Sequence, residues 1–134
     1  MKILFFISIF FIAQASYAEA DLSEGYDENT EITISGTVVD IVLPNRGPII
    51  LKISPGRRVY YVVTAPPWFL LQQEVAFVSG HMIEVKGSKY FGRDGNIYII
   101  GREIRCCQPD KRIILRDKYS RPIWGGHGKH RGHP

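Results

Sequence analysis

The chain has 134 residues, 45% of them apolar and 22% charged, with a formal charge of +4 and two cysteines. That length leaves room for one domain with a modest core and excludes a second. No run beyond the first 18 residues is long and apolar enough to cross a bilayer.

Residues 1–18 read as a signal peptide: Lys2 supplies the charged start, Ile3 to Ala13 the apolar stretch, and Ser16-Tyr17-Ala18 a small-residue cleavage site. The apolar run falls short of the roughly 18 to 20 residues a membrane anchor needs, so the expectation is export to the periplasm or beyond, and loss of Lys2 lowers the charge by one. Residues 19–31 read as a flexible acidic arm. They hold Glu19, Asp21, Glu24, Asp27, Glu28 and Glu31, no Lys or Arg, and no apolar periodicity.

A long strand follows from Thr33 to Leu43, rich in β-branched residues, with Gly36 placed where a bulge would bend it. Pro44-Asn45-Arg46-Gly47-Pro48 forces a turn, Ile49 to Ile53 alternates, Ser54-Pro55-Gly56-Arg57 turns again, and Val59 to Thr64 makes a third strand. Then the period changes. After Ala65-Pro66-Pro67, the residues Trp68, Leu71, Val75 and Val78 recur at helical spacing, and Gly80 provides a stop.

Ile83 and Val85 resume the alternation before Gly87, and Asn96 to Ile100 forms a fifth strand after the turn Gly92-Arg93-Asp94-Gly95. Three strands, a short helix and two strands is the order of a small OB-like five-stranded barrel. The fold expected for residues 32–124 is therefore mainly β, with one short helix between strands 3 and 4 capping a barrel mouth, and a C-terminal extension. Leu115 to Trp124 would add a further strand and a turn that lets Trp124 cover one end. A small open sandwich or an SH3-like barrel fits the alternation but not the helix after the third strand. Arg102 onward is strongly basic, opposite in sign to the arm, and the two ends would attract each other across the barrel.

A resemblance rests on Thr64-Ala65-Pro66-Pro67-Trp68-Phe69-Leu70, Gly80 to Ser88, Asp94-Gly95-Asn96-Ile97-Tyr98, and Leu115-Arg116-Asp117 leading to Arg121-Pro122-Ile123-Trp124. In this order they resemble the exported bacterial OB-like domain of the MamS/MamX magnetosome type, over roughly Ile32 to Trp124. The resemblance implies periplasmic work near metal or redox chemistry. Some such relatives carry covalent haem, which needs a Cys-x-x-Cys-His sequence. This chain has none, so the resemblance brings no haem here.

Cys106 and Cys107 are adjacent, and neighbours on a strand point to opposite faces. They act together only if the strand has already ended, as the turn Gln108-Pro109-Asp110 permits. One cysteine packed and one exposed, a disulfide to another chain, a vicinal disulfide, and a metal or redox role all stay open. The spacing is neither that of a zinc site nor that of a thioredoxin-like motif.

Residues 125–134 form a Gly- and His-rich tail read as disordered. Its His127, His130 and His133 would suit Cu(II), Ni(II) or Zn(II), although Lys129 and Arg131 repel a cation. No cofactor is fixed by the sequence, and a divalent transition metal is the one class these residues would accommodate. His81 reads as a surface turn residue.

Catalysis finds little support, since the core holds one histidine and scattered acids, with no phosphate-cradling glycine loop and no His-Glu-x-x-His helix. The expectation is a non-enzymatic binding module. Its ligand or partner face would use Arg58, Tyr61, Tyr90, Phe91 and Arg93, the aromatic and basic residues of strand 3 and the flanking turns. Export takes it away from nucleic acid, so an envelope protein, peptide or glycan is the better partner; the alternatives are a Cu, Ni or Zn binding protein acting through the His-rich tail and, second, a module for a polyanion or oligonucleotide.

Overall fold

The computed structural model describes residues 25–106 and 111–125. A short 3-10 turn, Glu28–Thr30, leads into β1 (Glu31–Val42), followed by β2 (Ile50–Ser54), β3 (Tyr60–Val63), the helix α1 (Pro67–Gln72), β4 (Met82–Phe91), β5 (Ile97–Cys106) and β6 (Lys111–Ile114). The sheet order is β3-β2-β1-β4-β5-β6, and β3 also pairs with β5. That last pairing closes five strands into the OB-like barrel and leaves β6 as an extra strand beside β5.

β1 serves two neighbours. Its first half pairs with β4 from Glu31↔Ser88 to Thr37↔Met82, and its second half with β2 from Thr37↔Ser54 to Val42↔Ile50. The bend this requires falls between Val38 and Asp40, where the register with β2 slips. Gly36 is therefore not the bulge. Its glycine is needed for another reason: a Cβ there would meet the Ser54–Pro55 backbone at 3.0 Å as β2 ends across it.

The barrel interior is filled by alternate residues of each strand, among them Leu51, Ile53, Val62, Val85, Ile99 and Ile104, all fully buried. β6 and the residue after it add Ile113 and Leu115. α1 is shorter than the apolar spacing suggests, and it turns a different face inward. Phe69 and Leu70 are buried, while Trp68 is half-exposed and Leu71 is 78% exposed. The chain leaves helical geometry at Glu74, whose φ is 59°. Val75 still packs against the core from beyond the helix, but Val78 does not. Pro67 at the first helical turn costs no hydrogen bond, because that N–H would lack a partner anyway.

Past β5 the extra strand comes earlier than expected, at Lys111–Ile114, paired with Glu103–Cys106. Residues 115–122 then form a tight return, closed by the Arg116↔Pro122 bridge. The return lets Trp124 reach Phe69 of α1, with ring centroids 5.4 Å apart. Trp124 thus covers the helix end of the barrel.

The register with β5 also slips between Lys86 and Gly87. A Cβ on Gly87 would lie 2.2 Å from the carbonyl oxygen of Ile100, a contact only rearranged backbone could relieve. Gly87→Ala should therefore lower unfolding free energy in urea by about 2–3 kcal/mol, whereas Gly56→Ala, in a turn where nothing lies within 4 Å, should leave it unchanged or slightly higher.

Candidate functional site

The alternation of β-strands places every second residue on the outer surface, and the register aligns four of them. Lys52 lies opposite Tyr61, Tyr61 opposite Tyr98, and Tyr98 opposite Tyr90, so one row crosses β2, β3, β5 and β4. The Tyr61 and Tyr98 rings meet at 5.2 Å with a 33° tilt, and Tyr98 and Tyr90 stack at 5.4 Å and 16°. The Lys52 ammonium sits 5.4 Å from the centre of the Tyr61 ring. Tyr98 is thus covered by a ring on each side, and Tyr61 by a ring and a cation. Such cross-strand aromatic pairs contribute roughly 0.5–1.5 kcal/mol each.

The Tyr98 hydroxyl donates to Asp94 at 2.6 Å, and Asp94 also accepts from the backbone and side chain of Asn96. Burial, then the bond to Asp94 and its charge, push the Tyr98 phenol up to about 12. The same hydroxyl is the main reason Asp94 lies below its ordinary value. The β4–β5 turn is thereby tied to the tyrosine row.

Of the five face residues expected from the sequence, Tyr61 and Tyr90 are brought together, by way of Tyr98. Phe91 is not with them: it projects from the other face of β4, 70% exposed, with the Lys89 ammonium 5.5 Å from its ring centre. Arg58 and Arg93 sit exposed in the β2–β3 and β4–β5 turns. Lys52 and Tyr98 were not anticipated. The alternation from Ile97 to Ile100 carries the parity of Tyr98, but its alignment with Tyr61 follows from a parallel pairing that no local pattern announces.

A second cluster joins the two ends of the domain. The Tyr26 ring lies against two guanidinium groups, 5.4 Å from Arg102 and 5.3 Å from Arg116. Its hydroxyl donates to Glu31, which also receives Arg102 at 2.8 Å. Arg102 donates to the carbonyl of Asp117, and Ser120 donates to Glu28. The Asp27 N–H donates to Ser88, so the last residues of the acidic segment are held in the fold. Arg116 is 6% exposed and donates to the Ser120 carbonyl, and burial lowers its pKa. This cluster has the character of a latch between the termini of the domain, not of a ligand site.

A third feature is an open groove of about 290 Å³ on the outer face of β1, β4, β5 and β6, lined by Thr33, Glu84, Lys86, Glu103, Arg105 and Arg112. Arg112 spans both oxygens of Glu103 at 2.6 and 3.2 Å. Within this lining Arg112 pairs with Glu103, while Lys86 reaches Glu31 outside it at 3.9 Å.

Cys106 is buried at the end of β5, 4% exposed, and disulfide-bonded. The one other cysteine in the sequence is its neighbour Cys107. A disulfide sulfur is not a thiolate, so Cys106 in this state is no metal ligand. Cys107, His127, His130 and His133 lie outside the described residues. Among the described residues no three His, Cys, Asp or Glu side chains gather as a metal site. His81 is exposed at the start of β4, and its carbonyl accepts from Val38.

A closed OB-like barrel carrying an ordered aromatic row on its outer face places the chain in the class of small β-barrel binding and interaction modules. The profile of the MamS/MamX magnetosome protein family matches residues 30–108, more than half of the chain, and the chain belongs to that family. Among solved structures, a chain of the S. pombe Stn1-ten1 complex is similar at 17% identity and a TM-score of 0.48, with 58% of each chain covered. No curated protein matches significantly. Among the described residues no helix is long and apolar enough to cross a membrane.

Glu31 provides a pH test of the latch. The Tyr26 hydrogen bond, then that of Arg102, hold its carboxyl below the ordinary value of 4.5, against a desolvation that pushes upward. A carboxylate depressed on folding adds stability above its unfolded pKa and loses it as pH falls through the folded one. Glu31→Gln should cost about 1–2 kcal/mol at pH 7, and the gap to the parent should close as pH drops below about 4, read from urea unfolding at each pH.

Proposed function

We propose that this chain is a non-enzymatic binding module of the bacterial envelope, acting in the periplasm, and that a protein or peptide partner seats on the tyrosine row. The observation that carries this reading is the in-register line Lys52–Tyr61–Tyr98–Tyr90, half-exposed and already ordered by its own stacking. Ordered aromatic residues offer large contact area with little entropy left to lose, which is why tyrosine is enriched where proteins meet. Lys52 at one end adds a charge for polar contact.

The same geometry disfavours nucleobases as the ligand. A base needs an open ring face, and here Tyr98 is covered on both sides and Tyr61 is covered by Tyr98 and Lys52. The residue types on the face bind through contact area, hydrogen bonds and charge, which supports a module without chemistry of its own. Residues 1–18 read as a leader, and membership of a magnetosome family, support the periplasmic setting.

The test is capture of envelope proteins by the tagged chain, compared with a variant carrying Lys52→Glu and Tyr61→Ala. Capture of the specific partner should fall at least about tenfold, while the variant loses only about 1 kcal/mol of stability for the missing ring pair. Undiminished capture by a folded variant would sink the reading.

A further inference from the structure

The tyrosine row is one step inside the end of the barrel, and what lies beyond it has a different character. Ile53, Tyr60, Ile97 and Phe91 form the next row, again in register across β2, β3, β5 and β4. The β2–β3 turn and the β4–β5 turn therefore leave the barrel side by side and make one rim. Arg57, Arg58 and Arg93 stand exposed on these turns, and among the described residues none of their side chains makes a hydrogen bond or an ion pair. Val59 follows Arg58 and Phe91 precedes the turn that holds Arg93, 41% and 70% exposed. Lys89 adds a further cation at the Phe91 ring. The one acid of the two turns, Asp94, is engaged by Tyr98 and Asn96.

We propose that this rim docks the domain on an anionic phospholipid surface. Unpaired guanidinium groups match phosphate in charge and in hydrogen-bonding geometry. Exposed apolar side chains at the same end of the barrel have no use for a soluble anion, but they gain by entering the headgroup and acyl boundary. Gly56 and Gly95 in the two turns face open space, so no neighbouring atom blocks approach at either position. Each basic residue near such a surface contributes about 1 kcal/mol, and the attraction falls off within a Debye length. A soluble polyphosphate would use the arginines and ignore Phe91. This surface is separate from the tyrosine row, so the two proposals stand or fall independently.

The experiment is sedimentation of the full chain with vesicles of equal phosphatidylglycerol and phosphatidylcholine, and with phosphatidylcholine alone. The second vesicle measures whatever the apolar residues 3–13 contribute, and the difference between the two reads the rim. Binding should favour the anionic vesicles and fade as salt rises from about 0.05 to 0.5 M. The triple variant R57E/R58E/R93E should lower partitioning onto them by roughly a hundredfold, and Phe91→Ser by roughly tenfold, each with an unchanged melting temperature. In Phe91→Trp, the added emission should move to shorter wavelength on anionic vesicles and stay in place with soluble polyphosphate. Equal binding to both vesicles, an undiminished triple variant, or a silent Phe91 in both variants would overturn the proposal. The last result, with competition by polyphosphate, would mark a site for soluble anions.

Discussion

The parallel pairing of β3 with β5 is the constraint on which the rest of this domain depends. Four residues of β3, Tyr60–Val63, lie beside four of β5, Ile97–Ile100, and this short seam converts a sheet into a barrel. Without it, two strand edges would stay open to other chains. With it, Val62 and Ile99 face the same interior, and Tyr61 and Tyr98 meet on the outside. One set of four pairings thus makes part of the core and half of the aromatic row.

The latch around Tyr26 complements the seam. An acidic segment before β1 and a basic segment after β5 would repel within themselves if left apart. Glu28 and Glu31 against Arg102, with Tyr26 between two guanidinium groups, turn that imbalance into contacts between the two ends of the domain. Arg102 and Glu31 are well shielded, so their attraction is screened less than that of an exposed pair, while Glu28 lies largely in solvent. The opposite charge of the two ends was legible in the sequence, as was their attraction. The involvement of Tyr26 and the burial of Arg116 were not, because both arise from the return of residues 115–122 onto the barrel.

The strand order and the place of the helix could be read from the residues alone, because alternation and turn chemistry are local. What failed was also local, and for identifiable reasons. The spacing of Trp68, Leu71, Val75 and Val78 describes a helix longer than the one that forms, and a helix of six residues buries whichever pair faces the barrel, here Phe69 and Leu70. A glycine inside a strand suggests a bend, but the missing side chain of Gly36 serves the close passage of Ser54 and Pro55. The candidate face was half legible. Tyr61 and Tyr90 are of the right type and parity, but their partner Tyr98 follows from the seam, and Phe91 follows its own parity to the opposite face of β4.

The seam is also a long-range pairing. Its two strands are separated by roughly 35 residues of chain, including α1 and all of β4, so loop-closure entropy opposes this pairing more than any hairpin in the fold. The meander β1-β2-β3 and the hairpin β4-β5 are local by comparison and are suited to form first. Until they meet, Tyr61 and Tyr98 stand apart on unpaired edges. The meander carries Lys52 and Tyr61 and the hairpin carries Tyr98 and Tyr90, so the row becomes continuous only when the two units join, and a partner that recognises the whole row would sense whether the barrel has closed.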